Sequence, residues 1–204
     1  MNKNKAEIIG LLCAEGNYHN KVTRYWQYYS NRNKSYYVNH RNMHIQFGNL
    51  NVKLLNKFHK LLQIEYSYFP KIYKDRIKIC RRDIIKDLVK YSDYGTLKWH
   101  VPKEILNHKI FSIKFLRGYF EGDGCSRENK IVFSSANLKG LRQVRRLLDS
   151  LIIKNTLQGP YFRKDKEPEY CVYIKAESWD RFFQIINPEF KFHPHRLKMQ
   201  KQAF

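Results

Sequence analysis

Between residues 35 and 47 the apolar side chains settle onto every second position, Met43, Ile45 and Phe47 alternating with His40, Asn42, His44 and Gln46. Period two is the mark of a strand with one face in a core and the other facing polar surroundings. Ile77 and Ile79 alternate with Arg76 and Lys78 in the same way, as do Val172 and Ile174 with Tyr173 and Lys175. Residues 51–62 and 138–151 instead show the helical spacing of an amphipathic stripe. Further strands are expected at 22–28, 68–74, 77–80, 125–128, 130–134, 156–163 and 170–176, and closing helices at 83–91 and 178–186. With a helix in front of each set, the order is αββαββα, twice.

The two halves are copies. Ile45, Phe47, Asn51, Val52, Lys53, Leu55, Leu61 and Leu62 correspond to Ile131, Phe133, Asn137, Leu138, Lys139, Leu141, Leu147 and Leu148 at a constant offset of 86 residues. Ile77 and Ile79 correspond to Val172 and Ile174 at an offset of 95, and Glu15 to Asp123 at 108. Each copy therefore carries its own insertion on a common plan. The boundaries expected are 1–91, a linker at 92–109 marked by Trp99, Pro102 and turn residues, and 110–204 with a tail after Asn187 that straps the second half.

Composition narrows the partners. Lys and Arg number 39 against 18 Asp and Glu, a net charge of +21, and 43% of the chain is hydrophobic. That is enough apolar matter for packed cores, and too much positive charge for a protein without a polyanionic partner. No apolar run approaches the ~20 residues needed to span a bilayer, and the first ten residues lack the apolar core of a secretory leader. Nucleic acid is the expected partner, membranes are not, and the expected location is the cytoplasm or an organellar matrix. Cys13, Cys80, Cys125 and Cys171 lack paired spacing, so reduced and mostly buried thiols are expected rather than a zinc ribbon. The eight histidines form no ligand pattern, including His193 and His195, which flank a proline in the tail.

Two segments break helical convention in register. Ile8-Ile9-Gly10-Leu11-Leu12-Cys13-Ala14-Glu15-Gly16 and Leu116-Arg117-Gly118-Tyr119-Phe120-Glu121-Gly122-Asp123-Gly124 each place small residues four apart and end in an acid followed by glycine. Glycine inside a helix costs about 1 kcal/mol, and close approach of two helix backbones through Gly10, Ala14, Gly118 and Gly122 is its natural compensation. A carboxylate at a helix C-terminus faces the negative end of the macrodipole. Beside nucleic-acid phosphate it meets more negative charge, so a cation is expected to mediate. Mg2+ prefers one or two carboxylates with phosphate and water. The bland reading, an acid that merely closes its helix, fits one motif better than two.

These segments and the duplicated element order resemble the LAGLIDADG homing endonucleases, over essentially the whole chain and in the single-chain, pseudo-symmetric form. The resemblance implies an α+β fold of two tandem repeats, with the motif helices at the inter-domain interface and antiparallel sheets forming a DNA-binding saddle. It implies a monomer that cuts both strands of a long asymmetric DNA target and is encoded in an intron or intein. Glu15 and Asp123, with Ala14 and Gly122 beside them, would form the Mg2+ (or Mn2+) site. Gly48 stands where many members carry Lys or Gln-Lys, and Gln46 is the expected substitute. Lys175 fits the family's basic residue near the end of the fourth strand; Cys80 is its repeat equivalent, and Lys78 is the nearest lysine in the first copy. Glu121 has Cys13 as its counterpart and is not expected to bind metal.

DNA contacts are expected from Arg24, Arg32, Lys34, His40, Asn42, His44, Lys71, Lys74, Arg76, Lys130, Arg163, Lys164 and Tyr173. Amide, imidazole and guanidinium groups on strand faces suit base edges, while lysines at strand ends suit phosphates. Thirty residues separate Gly16 from Phe47 but only eight separate Gly124 from Phe133, so the first hairpin reaches further, with Asn31, Arg32, Asn33 and Lys34 at its tip. Two alternatives share the scaffold: an RNA-binding maturase acting on its own intron RNA, and a DNA-binding regulator without catalysis. Retention of both acids favours cleavage over the second.

Overall fold

A computed structural model describes residues 1–127 and 129–191. Glu128, His193, His195 and the end of the tail lie outside the described residues. The chain opens with α1 (Lys3–Glu15), capped by the Asn2 side chain, which accepts from the Lys5 N–H at 2.9 Å. Then follow β1 (Gly16–Tyr29), β2 (Lys34–Gly48), α2 (Val52–Tyr66), β3 (Arg76–Ile79) and α3 (Arg82–Val89). The second half runs α4 (Lys103–Leu106), α5 (Lys109–Asp123), β4 (Gly124–Arg127), β5 (Lys130–Ser135), α6 (Leu138–Ser150), β6 (Asn155–Tyr161), β7 (Glu169–Ile174) and α7 (Trp179–Ile186). Both sheets are antiparallel, in the orders β1-β2-β3 and β4-β5-β7-β6.

Repeat-equivalent residues do equivalent work. Asn51 accepts from the Lys53 N–H and Asn137 from the Gly140 N–H, both at 3.0 Å, so each caps the helix behind its sheet. Ile45, Phe47, Ile77 and Ile79 are buried on one sheet, as are Ile131, Phe133, Val172 and Ile174 on the other. The two copies differ in one strand. Residues 68–74, expected as a strand from their Tyr, Phe and Ile content, form no ladder and make a single bridge, Ile72 with Ile77. Pro70 removes a backbone donor in the middle of the segment. Phe69 and the side chains of residues 71–74 are exposed, so nothing on either face holds a strand there.

The segment between the copies is packed, not loose. Tyr94, Trp99, Val101 and Ile105 are buried. The Trp99 ring lies 4.9 Å from that of Tyr119, its carbonyl accepts from Asn137 Nδ2 at 2.6 Å, and the Tyr94 carbonyl accepts from the Tyr18 N–H at 3.2 Å. One segment thus holds elements of both halves. A Cβ on Gly140 would stand 2.4 Å from the Trp99 ring.

The central contact is α1 against α5. A Cβ on Gly10 would lie 2.2 Å from the Phe115 carbonyl oxygen, one on Gly118 2.4 Å from that of Glu7, and one on Gly122 2.4 Å from Ala14 Cβ. Backbone here touches backbone. Ile8, Ile9, Leu11, Leu12, Phe115, Leu116, Tyr119 and Phe120 are fully buried around it, each worth roughly 1.5–3 kcal/mol. The burial therefore outweighs the three helical glycines. Replacing Gly118 with Ala is expected to lower stability by about 2 kcal/mol, because overpacking exceeds the ~1 kcal/mol gain in helix propensity. Gly48→Ala is the control, since its Cβ meets only the Asp75 oxygen at 3.7 Å. Urea denaturation of both variants checks this, and an unchanged midpoint for Gly118→Ala would refute the rigid-contact account.

Candidate active site

Parallel termination of α1 and α5 brings Glu15 and Asp123 to the walls of one cleft of about 570 Å³. Asn17, Thr96, Trp99, Ser134, Ser135, Arg163, Lys166, Glu167 and Glu169 complete its lining. Glu15 also opens onto a neighbouring cleft with Gln46, Gly48, Asn49, Asp75 and Arg76. Asn49 Nδ2 donates to Glu15 Oε1 at 2.9 Å. Asn49 is the repeat equivalent of Ser135, which lines the larger cleft on the other side.

Burial sets the charge of the pair. It pushes the Asp123 carboxyl up to about 8, reinforced by the Glu15 charge and opposed by the Lys191 ammonium. Glu15 is raised as well, again by burial, with Lys191 and the Asn49 amide pulling it back. Lys191 was invisible to pattern reading because it lies beyond the repeat. Its Nζ donates to the carbonyl oxygens of Gly122 and Gly124, the latter at 2.6 Å. Glu121 holds the strap that carries it, accepting from the backbone N–H groups of Glu189 and Phe190. The acid two residues before Asp123 thus has a structural task and does not line the cleft.

The remaining expected site residues separate into groups. Gln46 and Lys78 are register partners on one strand face, beside His44, which stacks on His19 with centroids 4.6 Å apart. His40, Asn42, His44 and Gln46 alternate with buried Ile45 and Phe47, so they share the outward face of β2. Burial first, then the charges of His19 and Lys78, lower the His44 imidazole pKa. Arg76 reaches the Glu15 side but is held by Asp75 through two bonds of 2.8 and 2.9 Å. Arg163 lines the main cleft and pairs with Glu169 at 2.5 Å. Lys71, Lys74, Arg32, Lys34 and Lys164 are exposed, Lys130 and Tyr173 half-buried.

Two of the expected site residues stand apart from the others. Lys175 is exposed beyond the outer end of β7, its N–H bonded to the Lys154 carbonyl, whereas the end of β7 near Asp123 carries Glu169 and Tyr170. β7 runs away from the cleft, so its last residue is carried out of reach, and Arg163 and Lys166 supply the basic groups instead. Arg24 pairs with Asn39 and shares the face of Trp26, opposite to that of His40 and Asn42. The expected strand began at residue 22, whereas β1 starts at Gly16, and its register with β2 decides which side chains share a face. Cysteines 13, 80, 125 and 171 are free, with Cys80 exposed rather than buried. Among the described residues no three His, Cys, Asp or Glu side chains are grouped to hold a metal, and no helix is long and apolar enough to cross a membrane.

The raised Asp123 carboxyl has a testable sign. Its folded value exceeds the unfolded one, so its stabilising share is complete below pH ~4 and is lost as pH rises toward 8. Asp123→Asn has no such loss, and in chelator-containing buffer the variant should gain stability over wild type as pH goes from 5 to 8. Denaturation midpoints at the two pH values check this; a constant difference would mean that the carboxylate is not desolvated.

At the level of sequence no curated protein is a match for the chain. In structure it is similar to mesophilic variants of the homing endonuclease I-DmoI, with TM-score 0.63, 16% identity, and coverage of 90% of this chain and 95% of that one. I-DmoI in complex with DNA and Mn gives TM-score 0.58 at 15% identity, covering 92% and 98%. The full-length DUF199/WhiA from Thermatoga maritima gives 0.54 at 13%, covering 98% of this chain and 66% of that chain. The α+β architecture with its two antiparallel sheets is the LAGLIDADG homing endonuclease fold, and residues 111–187 match the family model of the LAGLIDADG-like domain.

Proposed function

We propose that the protein is a site-specific, metal-dependent DNA endonuclease acting as a single-chain monomer of two LAGLIDADG repeats, encoded within an intron or intein. One observation carries this reading: two carboxylates from equivalent helix ends share a single cleft between two sheets, on a chain of net charge +21. An acid pair so desolvated is a poor structural choice, and a good one for a site that receives a cation and a phosphate together. The I-DmoI complexes with DNA were solved with Mn and with Ca, which supports divalent-metal use in this fold.

The donors suit a hard cation. Glu15, Asp123 and the Gly122 carbonyl offer oxygen only, and a protein ammonium, that of Lys191, already sits on the Gly122 and Gly124 carbonyls beside them. When bound, Mg2+ or Mn2+ supplies water activation and stabilisation of the leaving oxygen. The chain's own groups do the rest. Asn49 orients Glu15, Arg163 and Lys166 attract the phosphate, and Gln46 with Lys78 lies along the DNA beside the first acid. The outward faces of β1 and β2 read base edges in the major groove, with His40 and Asn42 in the donor and acceptor row and buried His44 holding Asn42 at 3.0 Å. Lys71, Lys74 and Lys164 hold phosphates and fix the register.

Cleavage of a plasmid library carrying a long randomised duplex insert tests the activity. With Mg2+, a narrow set of cut sites should emerge. Glu15→Gln or Asp123→Asn should lower cleavage by at least ~100-fold, as loss of a stabilising charge at a reacting centre does, and leave duplex affinity equal or higher. Full cleavage by the double variant would sink the assignment.

Reach makes the footprint asymmetric. β1 and β2 span 14 and 15 residues, β4 and β5 only four and six. At ~3.3 Å per residue the first hairpin extends far along a groove and the second ends near its helix. In the selected sites, outer base pairs under the first hairpin should tolerate fewer substitutions than those under the second. Equal tolerance at both ends would mean that the long hairpin does not enter the groove.

A further inference from the structure

The long hairpin has a second face. Register sets Val22 against Arg41, Arg24 against Asn39, Trp26 against Tyr37 and Tyr28 against Ser35, and directly opposed residues of an antiparallel pair share a side. Near the helices this side is the one that Ile45 and Phe47 bury. Further out the ribbon overhangs the body and the same side is bare among the described residues. Trp26 is 69% exposed, Tyr28 59%, Tyr37 54% and Val22 54%. The Trp26 and Tyr37 rings lie 5.4 Å apart and tilted by 58°, leaving their planes open to a guest. Arg41 is oriented by Asn20 at 2.9 Å on this same side.

Charge selects the occupant. The chain holds no Asp or Glu from residue 16 to residue 64, and the hairpin itself carries Lys21, Arg24, Arg32, Lys34 and Arg41. A second copy of the chain would bring arginine onto arginine with no acid on either surface. A purely apolar partner segment would leave Arg24 and Arg41 without counter-charges. Open aromatic planes with guanidinium groups between them match unpaired bases on a phosphate backbone. Duplex DNA offers no base planes, because its bases are stacked on one another.

We propose that this outer face of the β1–β2 hairpin binds single-stranded nucleic acid, bases stacking on Trp26, Tyr28 and Tyr37 and phosphates meeting Arg24 and Arg41. It is a second site, on the side of the ribbon away from the row assigned above to the groove; only the word "second" rests on that assignment. The strand is either RNA or a displaced DNA strand, since both present the same planes and charges.

Fluorescence anisotropy of the full chain with oligoadenylate, in ribose and deoxyribose form, and with random-sequence duplex DNA tests the idea. Trp26→Ala/Tyr37→Ala should weaken both single strands, or the ribose form alone, by roughly 10-fold or more per lost stack, with duplex affinity held within about twofold. Trp26→Phe, which keeps an aromatic plane, should restore most of the loss. Part of the wild-type tryptophan emission should be quenched by the strand and not in the double variant, since Trp26 is exposed while Trp99 is buried and Trp179 half-buried. A preference for the ribose form identifies an RNA partner, and equal binding identifies a displaced DNA strand. Unchanged single-strand affinity in the double variant overturns the proposal. So does an equal loss for duplex and single strand, or a wild-type dimer in sedimentation that the double variant abolishes. Failure of the duplex arm alone would count against the endonuclease reading and leave this site standing.

Discussion

Contact of two helix backbones at Gly10 and Gly118 holds α1 and α5 at one close separation. With a carbonyl oxygen where a Cβ would be, α1 and α5 have one separation available, and their C-terminal ends fall side by side. Glu15 and Asp123 face one cleft for that reason alone. The sheets leave the helices immediately, at Gly16 and Gly124, so the same contact fixes how far apart the two strand surfaces lie. Gly124 closes the arrangement, since a Cβ there would stand 2.1 Å from the Phe120 ring and 2.5 Å from its carbonyl oxygen.

How much of this was legible depended on whether a residue obeyed a period. Ile45, Phe47, Ile77, Ile79, Val172 and Ile174 alternate strictly, and all six are buried. The paired small residues and terminal acids announced themselves by defying helix propensity twice, in register. Lys191 has no such signal: one lysine meets the Gly122 and Gly124 carbonyls on either side of Asp123 because Glu121 pins the backbone ahead of it, a long-range contact that no spacing records. Residues 68–74 failed for the opposite reason. Their side chains favour a strand, but a strand also needs a partner edge and a covered face, and Pro70 spoils the first. Arg24 could not be assigned a side until the start of β1 was known, since a one-residue shift exchanges the two faces.

The cleft shows stability given up locally. Two acids raised by burial sit against a half-buried lysine, itself lowered by burial while Asp123, Glu15 and Glu121 pull the other way. Deeper in the interface the same ingredients are balanced: Glu7, nearly inaccessible, meets Lys57 at 2.7 Å and Lys114 at 3.3 Å. One cluster is neutralised within the protein, whereas the other keeps more carboxylate than its lysine can satisfy. The two acidic clusters on the same pair of helices thus differ in how far the protein itself matches their charge.

The α1–α5 contact also dictates a timetable for biosynthesis. Gly10 and Gly118 meet across more than a hundred residues of chain. At ~10 residues per second, a ribosome exposes Ile8, Leu11 and Leu12 on the order of ten seconds before Phe115 and Tyr119 emerge to cover them. Throughout that interval the nascent first half carries an apolar helix whose α5-facing side is uncovered. Its long basic hairpin, already complete, keeps neighbouring nascent chains apart by mutual repulsion. The excess of positive charge in the first half thereby opposes, during synthesis, the association of one nascent chain with another.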